Sequence, residues 1–289
     1  MKVAGFSFVR NAVKYDYPIV EAIQSILPIC DAFYIAIGDS EDETEELIKQ
    51  IESDKLHIIN TVWNDSLREG GQVLAVETNK AFDAIPNEYD WCFYIQGDEV
   101  VHEDDLASVK AGMQEHLNNP QVEGLLFNYR HFYGSYDYIG DSRRWYRKEV
   151  RVIRNNKEIR SYRDAQGFRK NNQKLKVKPI SAYMNHYGWV KPPEKQMEKQ
   201  RNFHKMWHDD DSVKKMVGSS NEFDYSGIDS LTKFNGSHPN VMQKRINRLN
   251  WKFNFDISKK NMSVKDHILY LFEKVSGIRV GEYKNYKIV

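Results

Sequence analysis

Apolar residues fall in short blocks whose internal spacing switches repeatedly between runs and helical stripes. Residues 3–9 form a mostly apolar run that predicts a strand. Pro18 then precedes Ile19, Ala22, Ile23 and Ile26, the one-face spacing of a helix that Pro28 closes. Residues 32–37 predict a second strand. Ser40 stands three positions before Glu43, a capping-box spacing, and Thr44, Leu47, Ile48 and Ile51 repeat with the helical period. Residues 56–63 read as a third strand, 71–85 as a helix, and 91–95 as a fourth strand that runs straight into Gln96-Gly97-Asp98-Glu99. Strands alternating with helices predict an α/β fold whose central sheet is mainly parallel and flanked by helices. Ligands collect at the carboxyl ends of such strands, so Arg10, Asp39, Asn64 and Asp98 are expected to converge.

After residue 123 the strand-like runs lengthen, over 124–133, 150–154 and 180–187, with polar loops between them. Residues 1–190 are therefore expected to form one domain. Residues 191–289 are expected to be a helical extension packed on it, with helices over 194–208, 239–253 and 264–275 that Trp207, Trp251 and Phe272 could dock.

Composition narrows the class without naming it. The 289 residues are 40% hydrophobic and 29% charged, which suits a globular chain large enough to bury a core. Lys and Arg number 42 against 41 Asp and Glu, so overall charge favours neither a nucleic-acid nor a membrane-surface partner. Local charge is uneven: residues 39–54 hold eight acids and one base, and residues 143–178 hold fourteen bases and three acids. The acidic run reads as the solvated face of a helix. The two cysteines, Cys30 and Cys92, lie in apolar stretches, which suits buried reduced thiols. The chain enters a strand at once and has no apolar stretch near the ~18 residues a membrane span needs, so a cytoplasmic protein without leader or anchor is expected.

The strongest chemical signal is Trp91-Cys92-Phe93-Tyr94-Ile95-Gln96-Gly97-Asp98-Glu99, an apolar strand that delivers carboxylates at its end. Hard cations such as Mg²⁺ or Mn²⁺ take oxygen ligands, and such a cation neutralises a diphosphate. Asp39-Ser40-Glu41-Asp42-Glu43-Thr44 follows the second strand, and Arg68-Glu69-Gly70-Gly71-Gln72 with Asn79 opens the third helix. With Asn185-His186-Tyr187-Gly188-Trp189 and Arg163-Asp164-Ala165-Gln166-Gly167, these segments make the first 190 or so residues resemble family 2 glycosyltransferases of the GT-A fold.

The resemblance implies a glycosyltransferase that moves a sugar from a nucleoside diphosphate to a glycan or lipid-linked acceptor, inverting and dependent on Mn²⁺ or Mg²⁺, in polysaccharide assembly. By it, Asp98 and His186 would hold the metal, with Gln96 standing where the family has the first Asp of its Asp-x-Asp motif. Arg10, Asp39, Arg68, Gln72, Asn79 and Gln96 would face the nucleotide sugar, and Asp164 would be the base that takes the acceptor's proton. A lipid acceptor would be met peripherally at a membrane. Two other readings stand beside this one: a glycosyltransferase acting on DNA or protein, with the fourteen bases of residues 143–178 as its footprint, and a non-catalytic nucleotide-sugar binding protein; the stretch around Arg143, Arg144, Arg147, Arg151 and Arg154 could also bind donor phosphates or an anionic acceptor. A nucleotidyltransferase is disfavoured, since Phe8-Val9-Arg10-Asn11-Ala12 is no Gly-rich phosphate loop.

Overall fold

The computed structural model describes residues 1–67, 69–217 and 220–289. The first half alternates as the periodicity predicts: β1 (Val3–Val9), α1 (Ile19–Ile26), β2 (Ala32–Gly38), α2 (Thr44–Lys49), β3 (Leu56–Thr61), α3 (Gln72–Asp83) and β4 (Trp91–Tyr94). Strands β3, β2, β1 and β4 lie side by side and parallel. Their central members are apolar but for Ser7 of β1, because both faces are covered. On one face α1 buries Ile19, Ala22, Ile23 and Ile26 completely; on the other, Ala81 and Phe82 of α3 meet Phe6 and Tyr94.

The sheet then becomes mixed. After β5 (Glu99–Val101) and α4 (Leu106–Glu115) come β6 (Gly124–Tyr133), β7 (Ser135–Gly140) and β8 (Lys148–Arg154), with β8 antiparallel between β4 and β6. Strands β9 (Ile159–Tyr162), β10 (Gly167–Lys170) and β11 (Gln173–Lys174) form a separate small sheet. The long β12 (Lys176–Trp189) returns parallel to β6 and antiparallel to β5, which carries His186 to the end of β4.

Beyond residue 190 lie α5 (Pro193–Lys205), α6 (Asp210–Val217), β13 (Leu231–Lys233), α7 (Gln243–Asn247), α8 (Val264–Ser276) and β14 (Lys287–Ile288). This segment adds strands as well as helices, for β13 pairs with β7 and β14 with β12. The helix expected over 239–253 is reduced to a 3₁₀ turn (Asn240–Met242) and α7. Leu249, Trp251, Phe253 and Phe255 recur every second residue and pack on the sheet's aromatic clusters, so tertiary burial draws the chain out of the helix. The Trp251 indole donates to the Gly134 carbonyl at 2.7 Å. Phe272 does not dock α8; it is 48% exposed. Among the described residues, no helix is long and apolar enough to cross a membrane.

The capping box also fails to form. Ser40, Asp42 and Thr44 instead accept the backbone N–H groups of Asn11, Lys14 and Ala12 at 3.0, 2.6 and 2.6 Å. Much of the acidic run's polarity therefore holds the loop after β1, and at the start of α2 it is Asp42 that accepts the Thr44 N–H, at 3.1 Å.

Candidate functional site

The carboxyl ends of β1 and β4, the end of β12 and one face of α5 enclose a cleft of about 720 Å³. The position is the one a parallel sheet dictates, since each strand ends there and its loop is free to carry polar groups.

On the side of β1 to β3, Arg10 organises the wall. Its guanidinium donates to the Asp39 carbonyl at 3.1 Å and to Asp65 at 2.8 Å, pairs with the Asp39 carboxylate at 3.4 Å, and lies 5.5 Å from the centre of the Trp63 ring. Asp39 also accepts the Trp63 backbone N–H at 3.3 Å. Arg10 and Trp63 line the cleft, and Asp39 braces both from behind. Gln72 is solvent-exposed on the first turn of α3 and is not on the cleft wall. Asn79 is turned elsewhere: its side-chain oxygen accepts the Ser161 N–H at 2.9 Å, so it ties α3 to β9 rather than facing a ligand. Arg68 lies outside the described residues.

At the end of β4 the three polar groups part ways. Glu99 is wholly buried and takes a two-pronged bond from Arg151 at 2.7 and 2.8 Å, a third from the Tyr129 hydroxyl at 2.7 Å, and a fourth from the Gln96 N–H at 3.1 Å. Its charge is consumed within the fold. Gln96 lines the cleft and donates its amide to the Ala165 carbonyl at 3.2 Å, which joins the end of β4 to the turn carrying Asp164. Asp98 lines the cleft and meets the Lys199 ammonium at 3.0 Å and the His186 ring at 3.7 Å. Burial disfavours the Asp98 charge, yet the Lys199, His186 and Lys191 charges together outweigh it and hold the carboxyl well below the usual carboxylate range. His186 in turn touches His131, Nδ1 to Nδ1, at 3.4 Å.

This donor set offers a divalent cation few anionic ligands. One carboxylate and one imidazole converge there, and the carboxylate is already paired with an ammonium. Among the described residues no group of three His, Cys, Asp or Glu side chains could hold a metal ion.

Asp164 sits in the turn between β9 and β10, flanked by Arg163 (φ 55°) and Ala165 (φ 60°), both left-handed without being glycine. That conformation costs roughly 1–2 kcal/mol per residue, and the turn is held in it: Arg151 donates to the Gln166 carbonyl at 2.8 Å and Ala165 is fully buried. The Asp164 side chain presses on Gly71, whose φ is 68° and where an added Cβ would fall 2.9 Å from the Asp164 Cβ. Gly71 is thus required twice over, by its backbone and by this contact. Asp164 makes no ion pair among the described residues; Arg163 lies instead over Tyr162, and Arg169 bonds the Asn285 carbonyl and Tyr283 hydroxyl. Burial pushes the Asp164 carboxyl up from its ordinary value, against backbone N–H bonds from Asp164 and Gln166.

The basic stretch divides. Arg143 and Arg147 pair with Glu273 and Glu282 at 2.9 Å, Arg151 with Glu99, and Arg154 bonds the carbonyls of His116, Leu117, Asn119 and Val122. Of the five arginines, Arg144 lines the cleft. The other four are engaged within the fold. Lys199 and His131, which the sequence did not single out, stand at the centre of the site.

No protein-family description matches the sequence, and no curated protein matches it. Solved structures do. The crystal structure of S. aureus TarS aligns with 17% identity over 70% of this chain and 39% of its own, at a TM-score of 0.39. TarS 1–349 in complex with UDP-GlcNAc aligns with 14% identity over 75% of this chain and 70% of its own, at 0.37. Glucosyl-3-phosphoglycerate synthase from Mycobacterium tuberculosis, in complex with Mg²⁺ and UDP, aligns with 15% identity over 46% and 43%, at 0.30. The likeness is one of fold. This chain spans about two fifths of the longer TarS structure.

Proposed function

We propose that the protein transfers a sugar from a nucleoside diphosphate to an acceptor hydroxyl, with inversion at the sugar carbon. The observation that carries this reading is a pairing within one cleft: cationic groups suited to a diphosphate, and a desolvated carboxylate, Asp164, free of ion pairs among the described residues. A carboxylate raised by burial is a better proton acceptor than one held down by a salt bridge.

In the reaction Asp164 removes the acceptor's proton. The acceptor oxygen donates its electron pair to the sugar's anomeric carbon from the face opposite the diphosphate, forming the new C–O bond. The old bond to the β-phosphate oxygen breaks, and its electron pair leaves with the nucleoside diphosphate. Arg10, Lys14, Arg144 and Lys205 line the cleft and offset the charge that develops. The braced Arg10–Asp39–Trp63 wall supplies hydrogen bonds and an aromatic face for the nucleoside. Trp145, Tyr146 and Trp189 provide apolar faces on the opposite wall for an acceptor glycan or glycolipid, a lipid-linked one being met at a membrane surface. The buried, unpaired thiols of Cys30 and Cys92 suit a reducing cytoplasm.

The test is a panel of UDP-, GDP- and CDP-sugars, read by thermal shift and by release of nucleoside diphosphate with candidate glycan acceptors. At least one donor should raise the melting temperature and be consumed. Binding without transfer or hydrolysis would make the chain a nucleotide-sugar binding protein, and no binding at all would end the proposal.

A further inference from the structure

We propose that the Lys199 ammonium is the diphosphate's countercharge at the end of β4, so that the cleft binds its donor without a divalent metal ion. The proposal rests on the glycosyltransferase reading above.

Lys199 reaches the cleft from the middle of α5, and its ammonium has two partners: the Asp98 carboxylate at 3.0 Å and the Gly188 carbonyl at 2.9 Å. These are its two hydrogen-bond partners among the described residues, and an ammonium carries three N–H donors, so one remains for a ligand oxygen. The side chain is well fixed, 13% exposed, with the ammonium 5.1 Å from the centre of the Tyr17 ring. Lysine binds phosphate as a compact point charge, which is the service a divalent cation gives a diphosphate.

The surroundings leave a metal ion little to hold it. Mg²⁺ beside a diphosphate is usually held by one or two carboxylates together with phosphate oxygens and waters. Gln96 offers a neutral amide engaged with Ala165, and Glu99 is saturated by Arg151, Tyr129 and the Gln96 N–H. Of Gln96, Asp98 and Glu99 at the end of β4, Asp98 alone presents a carboxylate to the cleft, and the ammonium beside it would repel a second cation. Gly188 confirms how tightly this corner is drawn, for a Cβ there would fall 2.6 Å from both the Asp98 carboxylate oxygen and the His186 ring.

Isothermal calorimetry with UDP and GDP, each in chelator and in Mn²⁺, decides the matter. The wild-type protein should bind one of them equally well in both conditions. Lys199→Met should weaken that binding in chelator by roughly 10- to 100-fold, the loss of one charge-assisted contact, and Lys199→Arg should restore most of it. Circular dichroism melts establish that each variant is folded; should Lys199→Met fail to fold, the chelator comparison and Lys199→Arg carry the test. Binding that requires Mn²⁺, or a folded Lys199→Met that binds like wild type, overturns the inference while leaving the proposed reaction standing. Failure of UDP, GDP and, in the same cell, CDP to bind in either condition removes the proposed reaction together with the inference.

Discussion

Asp164→Asn separates the roles this residue could have. The substitution keeps the side chain's size, so the contact with Gly71 survives, and an amide oxygen can still accept the backbone N–H groups that bond the carboxylate. No ion pair among the described residues is lost with the charge. The folded protein holds the Asp164 proton more tightly than the unfolded chain does, because burial disfavours the anion. A raised carboxyl gives stability that is present below the unfolded pKa and is lost as pH rises through the folded one, so at neutral pH the ionised group is a burden. Asp164→Asn should therefore melt no lower than wild type at pH 7, and nucleoside diphosphate binding should be nearly unchanged. Turnover should fall by about 10²- to 10⁴-fold, the usual contribution of a general base, which is about 3 to 5 kcal/mol of barrier at 1.36 kcal/mol per decade. The assay is release of nucleoside diphosphate at saturating donor and varied acceptor across a pH series. Wild-type kcat/KM should lose activity toward acid along a limb lying above the ordinary carboxylate range, and the variant should lack that limb. Near-normal turnover, or an unaltered acid limb, would refute the assignment and direct attention to Glu149, whose carboxyl burial raises to about 7.

Two further predictions concern the frame around the site. Arg151→Met strands the fully buried Glu99 charge and should cost about 3–5 kcal/mol, seen as a Tm fall of roughly 10 °C; adding Glu99→Gln should recover part of it, and a loss below about 1 kcal/mol would show the pair to be dispensable. Gly188→Ala places a methyl group against Asp98 and His186, so calorimetric nucleotide binding should be lost well before the far-ultraviolet circular dichroism changes; unchanged affinity would mean that this corner does not meet the donor.

How much of this could be read in advance varies along the chain. The four parallel strands and their helices were legible because local period and burial agree there, as with Ile19, Ala22, Ile23 and Ile26 on one face of α1. Residues 239–253 misled because their apolar residues serve partners far away in sequence, such as the Gly134 carbonyl that receives Trp251. In the site, strand ends placed Arg10, Asp98 and His186 on one cleft. Asn79 looked equally suitable by position, but its orientation is set by β9. Lys199 carried no local signal at all. It is one cation on a highly polar helix, distinguished only by a carboxylate 101 positions earlier.

That separation has a consequence in time. Domains form from the N-terminus as synthesis proceeds, at about 5–20 residues per second. Strands β1 to β4 are therefore available while α5 is still unmade, and Asp98 waits at the end of β4 for the ammonium that will neutralise it. A carboxylate closed away from water without a countercharge is costly, so the emerging sheet gains by keeping that edge wet until residue 199 arrives. The ion pair that completes the cleft is then also the event that allows it to shut. A nascent chain stalled short of α5 should expose Asp98 to solvent and bind no nucleotide, and the same chain released by a few more seconds of translation should do both the opposite.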